Sequence, residues 1–462
     1  TQNVEVGTPI IGGAYLSLIK GVTMRYLVEV IEEAPQGQSS QTPAPVVPAH
    51  RTVDVAAAGA DPTGAADSTA VINEAIRRVH EAGGGTVHLP AGAYRVSAPF
   101  IELLGGVHLQ GAGRESTIIF ADTGAGSEQK TAIIHAGSWF IPRVGKDNLL
   151  MGVSDLWIKS SHARPSHVSS ATPTAGKDGM HPNIGGILLN TELGDQPPEP
   201  DGAHRIENVL IWDTAFGVAV LGLDDQGCQL RNVRVRRTLG PGVVIGKSPE
   251  HVASVTAGRR EIGAADNILD AVDVSGANIA GGTNAGFEIY ATNTTLIGCK
   301  SWYNRRSIHG VDGKPGGIWD TSNMHRFTAA GAGFFIRGGR NILTGCTAQE
   351  NGGHGFVLVG HSSQVTGCRS ASSSWHDCVS GEAKASEAAD FFVTNWAHHL
   401  IFSNNIAQAE YKGKNPRYGI AIEKWAHNIS GTSNMTVDIP TPHRATDMGV
   451  AVKLEINNNT IN

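Results

Sequence analysis

The chain is poor in cysteine and aromatics, and it has no long apolar run. Five cysteines in 462 residues, at spacings that match no zinc pattern, do not make a disulfide framework. No apolar stretch is long enough to span a bilayer as a helix. Positive charge is not in excess either: 36 Lys and Arg stand against 42 Asp and Glu, so nucleic acid is not an expected partner. The start, Thr1-Gln2-Asn3-Val4-Glu5, lacks the basic and apolar regions of a secretory signal. The expectation is a signal already removed, or release from the cell by another route.

Glycine is abundant, with 58 residues. It shows no collagen period and falls between short β-branched runs, which suits a turn-rich all-β solenoid. A rung recurs in the second half. Gly286-Phe287-Glu288-Ile289 leads to Gly298-Cys299, Gly333-Phe334-Phe335-Ile336 to Gly345-Cys346, and Gly355-Phe356-Val357-Leu358 to Gly367-Cys368. The tightest repeat is about 22 residues, within the solenoid range. One unit cannot bury its apolar face alone, and stacked units share a core. The three cysteines share one phase and are expected in an inward ladder of small apolar side chains.

Residues 1–34 read as a small anchor or assembly region with two strands around Lys20-Gly21. Too short for an independent core, it is expected to pair with other chains or dock on a larger body. Residues 35–51 form a proline-rich, extended linker. The main domain, 52–462, opens with the turn Asp61-Pro62-Thr63-Gly64. Asp67 or Ser68 then caps a helix with an apolar stripe at Val71, Ile72, Ala75, Ile76 and Val79. Asparagines at Asn341, Asn351, Asn404 and Asn405 suit left-handed turn positions.

Three segments, DPTGAADSTAVINEAI, GGGTVHLPAGAYRV and GVHLQGAGRESTII, resemble the entry of pectate-lyase-like right-handed parallel β-helix proteins. The resemblance implies an all-β, single-stranded right-handed parallel β-helix whose open first coil carries an N-terminal capping helix. It says less of chemistry, because that superfamily holds lyases, hydrolases, epimerases, transferases and non-catalytic spikes. The calcium-binding acid cluster of its pectate lyases and the close aspartates of its polygalacturonases have no recognisable match here. Anchor, spacer and capped β-helix together are similar to phage tailspikes and minor tail proteins. This layout implies a homotrimer, N-terminal attachment to a virion tail and release by lysis.

The repeat also serves as a ruler for insertions. About 25 residues are extra between the rungs at Gly286 and Gly333, and about thirteen before a rung starting at Asp390-Phe391, where Ser403 takes the cysteine phase. Both insertions carry aromatics, acids and histidine, and loops on a rigid scaffold carry function. Asp320, Asp377 and Glu382 are the catalytic candidates, since glycoside hydrolysis uses acid pairs. A polyuronate lyase needs instead a base and a neutralised substrate carboxylate. Trp302, Tyr303, Trp319, Arg326 and Trp375 are candidate sugar contacts through ring faces and paired hydrogen bonds. His376 is a candidate base or acid-positioning group. Each has a plainer reading: Asp377 as a turn residue, Trp302 and Trp319 as loop packing, Glu382 and Glu387 as a solvated stretch.

Lys159 to Asp201, with His162, His181 and Glu192, reads as a third long loop, a lid or a subunit contact. Asp224-Asp225 reads as a solvated turn, with calcium the alternative and no other cofactor indicated. His398-His399 beside Trp396 are expected to face solvent or a neighbouring chain, so no metal is assigned. Three functions stay open: a tailspike that binds and depolymerises a host surface polysaccharide, a secreted polysaccharide lyase or glycoside hydrolase, and a non-catalytic adhesin.

Overall fold

The computed structural model describes residues 51–121, 129–145, 150–160, 180–192, 203–248, 263–279, 284–304, 331–373, 389–410, 418–439, 441–445 and 452–459. The chain divides into two units, Thr1–Pro48 and Ala49–Asn462. The anchor, and the linker up to residue 50, lie outside the described residues.

Unit two is a right-handed parallel β-helix, in which each turn of the coil adds one strand to each of three parallel ladders. The first ladder runs from Arg51–Asp54 through Gly85–Leu89 to His398–Ser403 and His427–Val437. The second runs from Gly92–Val96 to Ile406–Gln408. The third runs from Ile101–Glu102 to Thr441–Ala445. At the C-terminal end, His427–Val437 pairs with both His398–Ser403 and Ile406–Gln408 and so joins the first two sheets. Parallel crossovers wind right-handed because a right-twisted strand packs back on its sheet only that way. No helix among the described residues is long and apolar enough to cross a membrane.

The expected helix, α1 (Thr69–Glu81), buries Thr69, Ile72, Ala75, Ile76 and Val79 and packs on the first strands. Its start differs in detail from the expectation. Ser68 holds the N-cap position but makes no cap hydrogen bond. Its hydroxyl accepts from the Asp61 N–H at 3.0 Å, while Asp67 accepts from the Thr69 N–H at 2.8 Å. Ser68 therefore ties the preceding turn to the helix.

The phenylalanine rung is in register: Phe287, Phe334, Phe356 and Phe391 are successive partners on the third sheet. Their rings stack at 4.7, 4.7 and 4.8 Å, within 10° of parallel. Cys299, Cys346 and Cys368 are buried free thiols. Ser403 pairs with Thr366, and Arg369 pairs with Ile406, so Asn405 rather than Ser403 follows Cys368 in the cysteine phase. Its Oδ1 accepts from the Cys368 N–H at 3.0 Å.

Of the four turn asparagines, Asn404 alone has left-handed backbone, φ 57°. Asn341, Asn351 and Asn405 are fully buried. They turn inward and satisfy the backbone of neighbouring coils: Asn341 Oδ1 accepts from the Thr294 N–H, and Asn351 Nδ2 donates to the Ser301 carbonyl. A coil must change direction three times per turn, and each corner leaves peptide groups that the sheets do not pair.

The segment 159–201 is not one loop, because the third-sheet strand Ile184–Leu189 runs through it. His181 Nδ1 accepts from the Asn183 N–H, and Glu192 is buried 3.6 Å from Lys247. Asp225 is no solvated turn either. Fully buried, it accepts from the Gly222 and Thr191 N–H groups and the Thr191 hydroxyl, and meets His204 Nε2 at 3.2 Å.

Candidate active site

Two corners of the coil share one backbone conformation. Between the first and second sheets, left-handed φ occurs at Asp155, Asn208, Asn232, Ala271, Gly298, Gly345, Gly367 and Asn404. At the end of the second-sheet strands or just beyond them it occurs at Asp213, Arg237, Gly276, Tyr303, Glu350, Ser372 and Asp438. The first set is mostly Gly and Asn, which tolerate the conformation. The second set places an arginine, a tyrosine and a glutamate there, where left-handed backbone costs about 1–2 kcal/mol per residue.

Strand register builds a polar and aromatic face beside this second corner. Arg236, Ser275, Trp302, Gln349, Ala371 and Gln408 are successive partners, as are Arg234, Asp273, Lys300, Thr347, Arg369 and Ile406. In each strand the middle residue points into the core, so these two columns face outward. Asp273 organises the earlier part. Its carboxylate accepts from Arg236 Nη2 and from Trp302 Nε1, both at 2.6 Å. Trp302 is held by its indole N–H, with Lys300 Nζ 4.7 Å and the Arg236 guanidinium 5.5 Å from its ring centre. Tyr303 tilts against it at 4.7 Å.

On later coils the same face carries acids. Gln349 Nε2 donates to Glu350 Oε1 at 3.4 Å and to Glu410 Oε2 at 3.3 Å. The two carboxylates therefore flank one amide nitrogen, and no more than about 7 Å separates these oxygens. Acid pairs that cleave glycosides stand about 5–9.5 Å apart. Arg369 Nη2 donates to Glu410 Oε1 at 2.6 Å and to Gln408 Oε1 at 2.8 Å. The Glu410 N–H is held by Ser372 Oγ at 2.7 Å.

Beneath these groups lies Asp390. Gly286, Gly333 and Gly355 occupy the turn into the third sheet, and a Cβ at Gly355 would come 2.0 Å from Ser370 Oγ. Asp390 takes this place in the next coil. Room exists because Ser373 stands where Asn304 and Asn351 stand in earlier coils. The carboxyl replaces the asparagine, accepting from Ser370 Oγ at 2.5 Å and the Ser373 N–H at 3.4 Å. Desolvation drives its pKa well above 3.8, and nearby Glu410 adds to the rise.

Of the residues singled out in the sequence, Trp302 and Tyr303 are brought together on this face. Asp320, Trp319 and Arg326, and Trp375, His376, Asp377 and Glu382, lie outside the described residues. The segments that carry them follow Asn304 and Ser373, which occupy the same position in their coils. Sequence reasoning missed Asp273, Arg236, Glu350, Arg369 and Glu410. One signal could have found Glu350: Gln349-Glu350-Asn351 repeats the phase of Trp302-Tyr303-Asn304.

Other polar sites are internally committed. A cavity of about 470 Å³ near the first coils is lined by Glu102, His135 and Arg143. There His135 bonds the Pro99 and Gly137 carbonyls, and Arg143 bonds the Leu103 carbonyl. On the apolar outer face of the third sheet, Glu288 accepts from Asn284, the Ala285 N–H and Tyr290.

Residues 52–183 match the family model described as rhamnogalacturonase A/epimerase, pectate lyase-like. Among individual proteins, mannuronan C5-epimerase AlgE1 of Azotobacter vinelandii is 46% identical over 67 residues, 13% of this chain and 5% of that protein. The chain thus aligns with a small part of that relative's length. The solved A-module of A. vinelandii mannuronan C-5 epimerase AlgE4 superposes with a TM-score of 0.56 at 16% identity, covering 87% of this chain and 100% of the module. Tailspike protein 2 of an Escherichia coli O157:H7 bacteriophage gives 0.52 at 14% identity, covering 84% of this chain and 43% of that one. At these identities the superpositions establish the fold.

Proposed function

We propose that this protein binds a surface polysaccharide along the second corner and cleaves it there. The observation that carries the reading is the Glu350–Gln349–Glu410 bridge beside Arg369, with Glu410 partly exposed and Glu350 buried, on the face that also carries Trp302, Tyr303, Lys300 and Arg236. The tryptophan and tyrosine faces stack on sugar rings, and the cations pair with acidic sugars. One carboxyl delivers a proton to the leaving oxygen while the other draws one from the attacking water or the substrate. The insertions after Asn304 and Ser373 complete the site, with Asp320, Asp377 and Glu382 as further acids and Trp319, Arg326, Trp375 and His376 as sugar contacts.

The protein does this as a tailspike or minor tail protein: three copies side by side, joined to a virion tail through residues 1–34. The anchor-and-spacer layout and the likeness to a phage tailspike support this role. The second reading is a secreted uronate-polymer enzyme, favoured by the sequence match to a mannuronan epimerase at the start of the coil. Finding the intact chain on purified virions separates the two.

The activity is tested by mass spectrometry of products after incubation with purified envelope polysaccharides. An unsaturated product means elimination and a water-added product means hydrolysis. A polysaccharide that is bound without any fall in mass overturns the cleavage and leaves an adhesin.

A further inference from the structure

The third corner, between the third and first sheets, carries a histidine column that the polysaccharide reading does not use. His361, His398 and His427 are register partners on three successive coils. Their rings stack at 5.1 Å on either side of His398. His399 joins them from the same strand as His398, with left-handed backbone at φ 56°. A residue in that conformation is aimed differently from its strand neighbours, and here the aim brings His399 Nδ1 to 2.7 Å from His398 Nδ1. Ligand nitrogens of His398, His399 and His427 lie within 4.8 Å of one another. The sequence shows only the pair 398–399; register supplies the third.

We infer that His398, His399 and His427 bind a divalent transition metal ion, of the class that prefers imidazole nitrogen. Three features support this. Two ring nitrogens already converge on one point. In a tetrahedral zinc site, with bonds of about 2.0–2.1 Å, ligand nitrogens stand about 3.3 Å apart, so that pair must open by a few tenths of an ångström. An outer partner that orients a metal-bound imidazole is in place at His427, and one that can become so lies beside His399. His427 Nδ1 is 3.0 Å from the Trp425 carbonyl, which fixes a proton there and leaves Nε2 for the metal. His399 Nε2 is 3.0 Å from the Asn428 amide, which turns over to accept its proton when Nδ1 ligates. Finally, His399 and His427 are exposed and Trp425 is 70% exposed beside them, so an ion has a path to the site. Three imidazoles leave a fourth position for water, as in open zinc sites. The ion would clip one coil to the next near the C-terminal end of the solenoid.

The test uses the full chain, dialysed against chelator and titrated calorimetrically with zinc chloride, with calcium chloride as control. One zinc per chain is expected, with no calcium response, and zinc raises the melting temperature because it binds the folded state. Cobalt(II) in place of zinc gives a visible ligand-field band, a second readout that needs no activity. His399→Ala and His427→Ala each weaken binding by roughly tenfold or more, while His361→Ala, outside the triad, leaves it within about twofold. Both weakening substitutions are at exposed positions, and circular dichroism reports whether the coil is intact. Absence of heat and of the cobalt band overturns the proposal. So does unchanged affinity in the His399→Ala/His427→Ala double variant.

Discussion

The first and second corners of this coil bend the backbone through the same left-handed conformation and differ in what they place there. At the first corner, Gly298, Gly345 and Gly367 turn the chain with no side chain to display. At the second, Arg237, Tyr303 and Glu350 hold the same φ with large polar side chains. A scaffold alone has no use for that strain, since glycine would serve. Strain retained at a half-exposed residue such as Tyr303 motivates the proposal that its side chain is the reason. On the proposed function, the first corner serves folding and the second serves binding, although the two share one backbone conformation.

Substitutions can break that contrast. Glu410→Gln, or Glu350→Gln, should lower depolymerisation by about 100-fold or more, the range for loss of a general acid or base. The melting temperature should be little changed, and a reducing-end or viscosity assay reads the rate. Trp302→Ala should weaken oligosaccharide binding by about tenfold, from loss of one stacked ring with its cations. A fluorescence titration reads this. Gly345→Ala should cost about 1–2 kcal/mol of stability through left-handed strain alone, because a Cβ there meets nothing within 4 Å. Denaturant unfolding measures that cost, and activity at 25 °C should be untouched. Tyr303→Gly is the inverse case: it relaxes the backbone, so binding should fall further than stability does.

The smallest effect concerns pH. Burial pushes the pKa of the Asp390 carboxyl well above 3.8 in the folded chain. Its contribution is thus fully present below the unfolded value and is lost as pH rises toward the folded one. Melting temperature should fall as pH rises above about 4, and Asp390→Asn should flatten that slope. An unaltered slope would mean that the carboxyl is ionised in the fold.

Much of the scaffold was legible in the sequence because it repeats. Phe334, Phe356 and Phe391 recur at one phase, and a ladder of identical rings needs identical spacing. The ruler found excess chain between the rungs at Gly286 and Gly333 and before Asp390, but it counted Trp302, Tyr303 and Asn304 in the excess, whereas Lys300–Trp302 is a second-sheet strand and Asn304 is buried in the coil. The inward asparagines were misread because Asn serves equally as a left-handed turn residue and as a buried donor and acceptor. Register, which short-range signals do not contain, decides between them. The acid pair was hidden for the same reason. Glu350 and Glu410 lie sixty positions apart in the chain, and nothing links them until the coils between are wound. His427 joins His398 and His399 by the same winding.

Amide hydrogen exchange, with and without a bound oligosaccharide of the cognate glycan, tests the central claim most directly. Slowed exchange is expected along the second sheet and its corner, at residues 300–304, 347–351, 369–373 and 406–410. No change is expected at the first-corner residues 297–299, 344–346 and 366–368. Protection at the first corner, or at the histidine-bearing third corner in place of the second, would contradict the account.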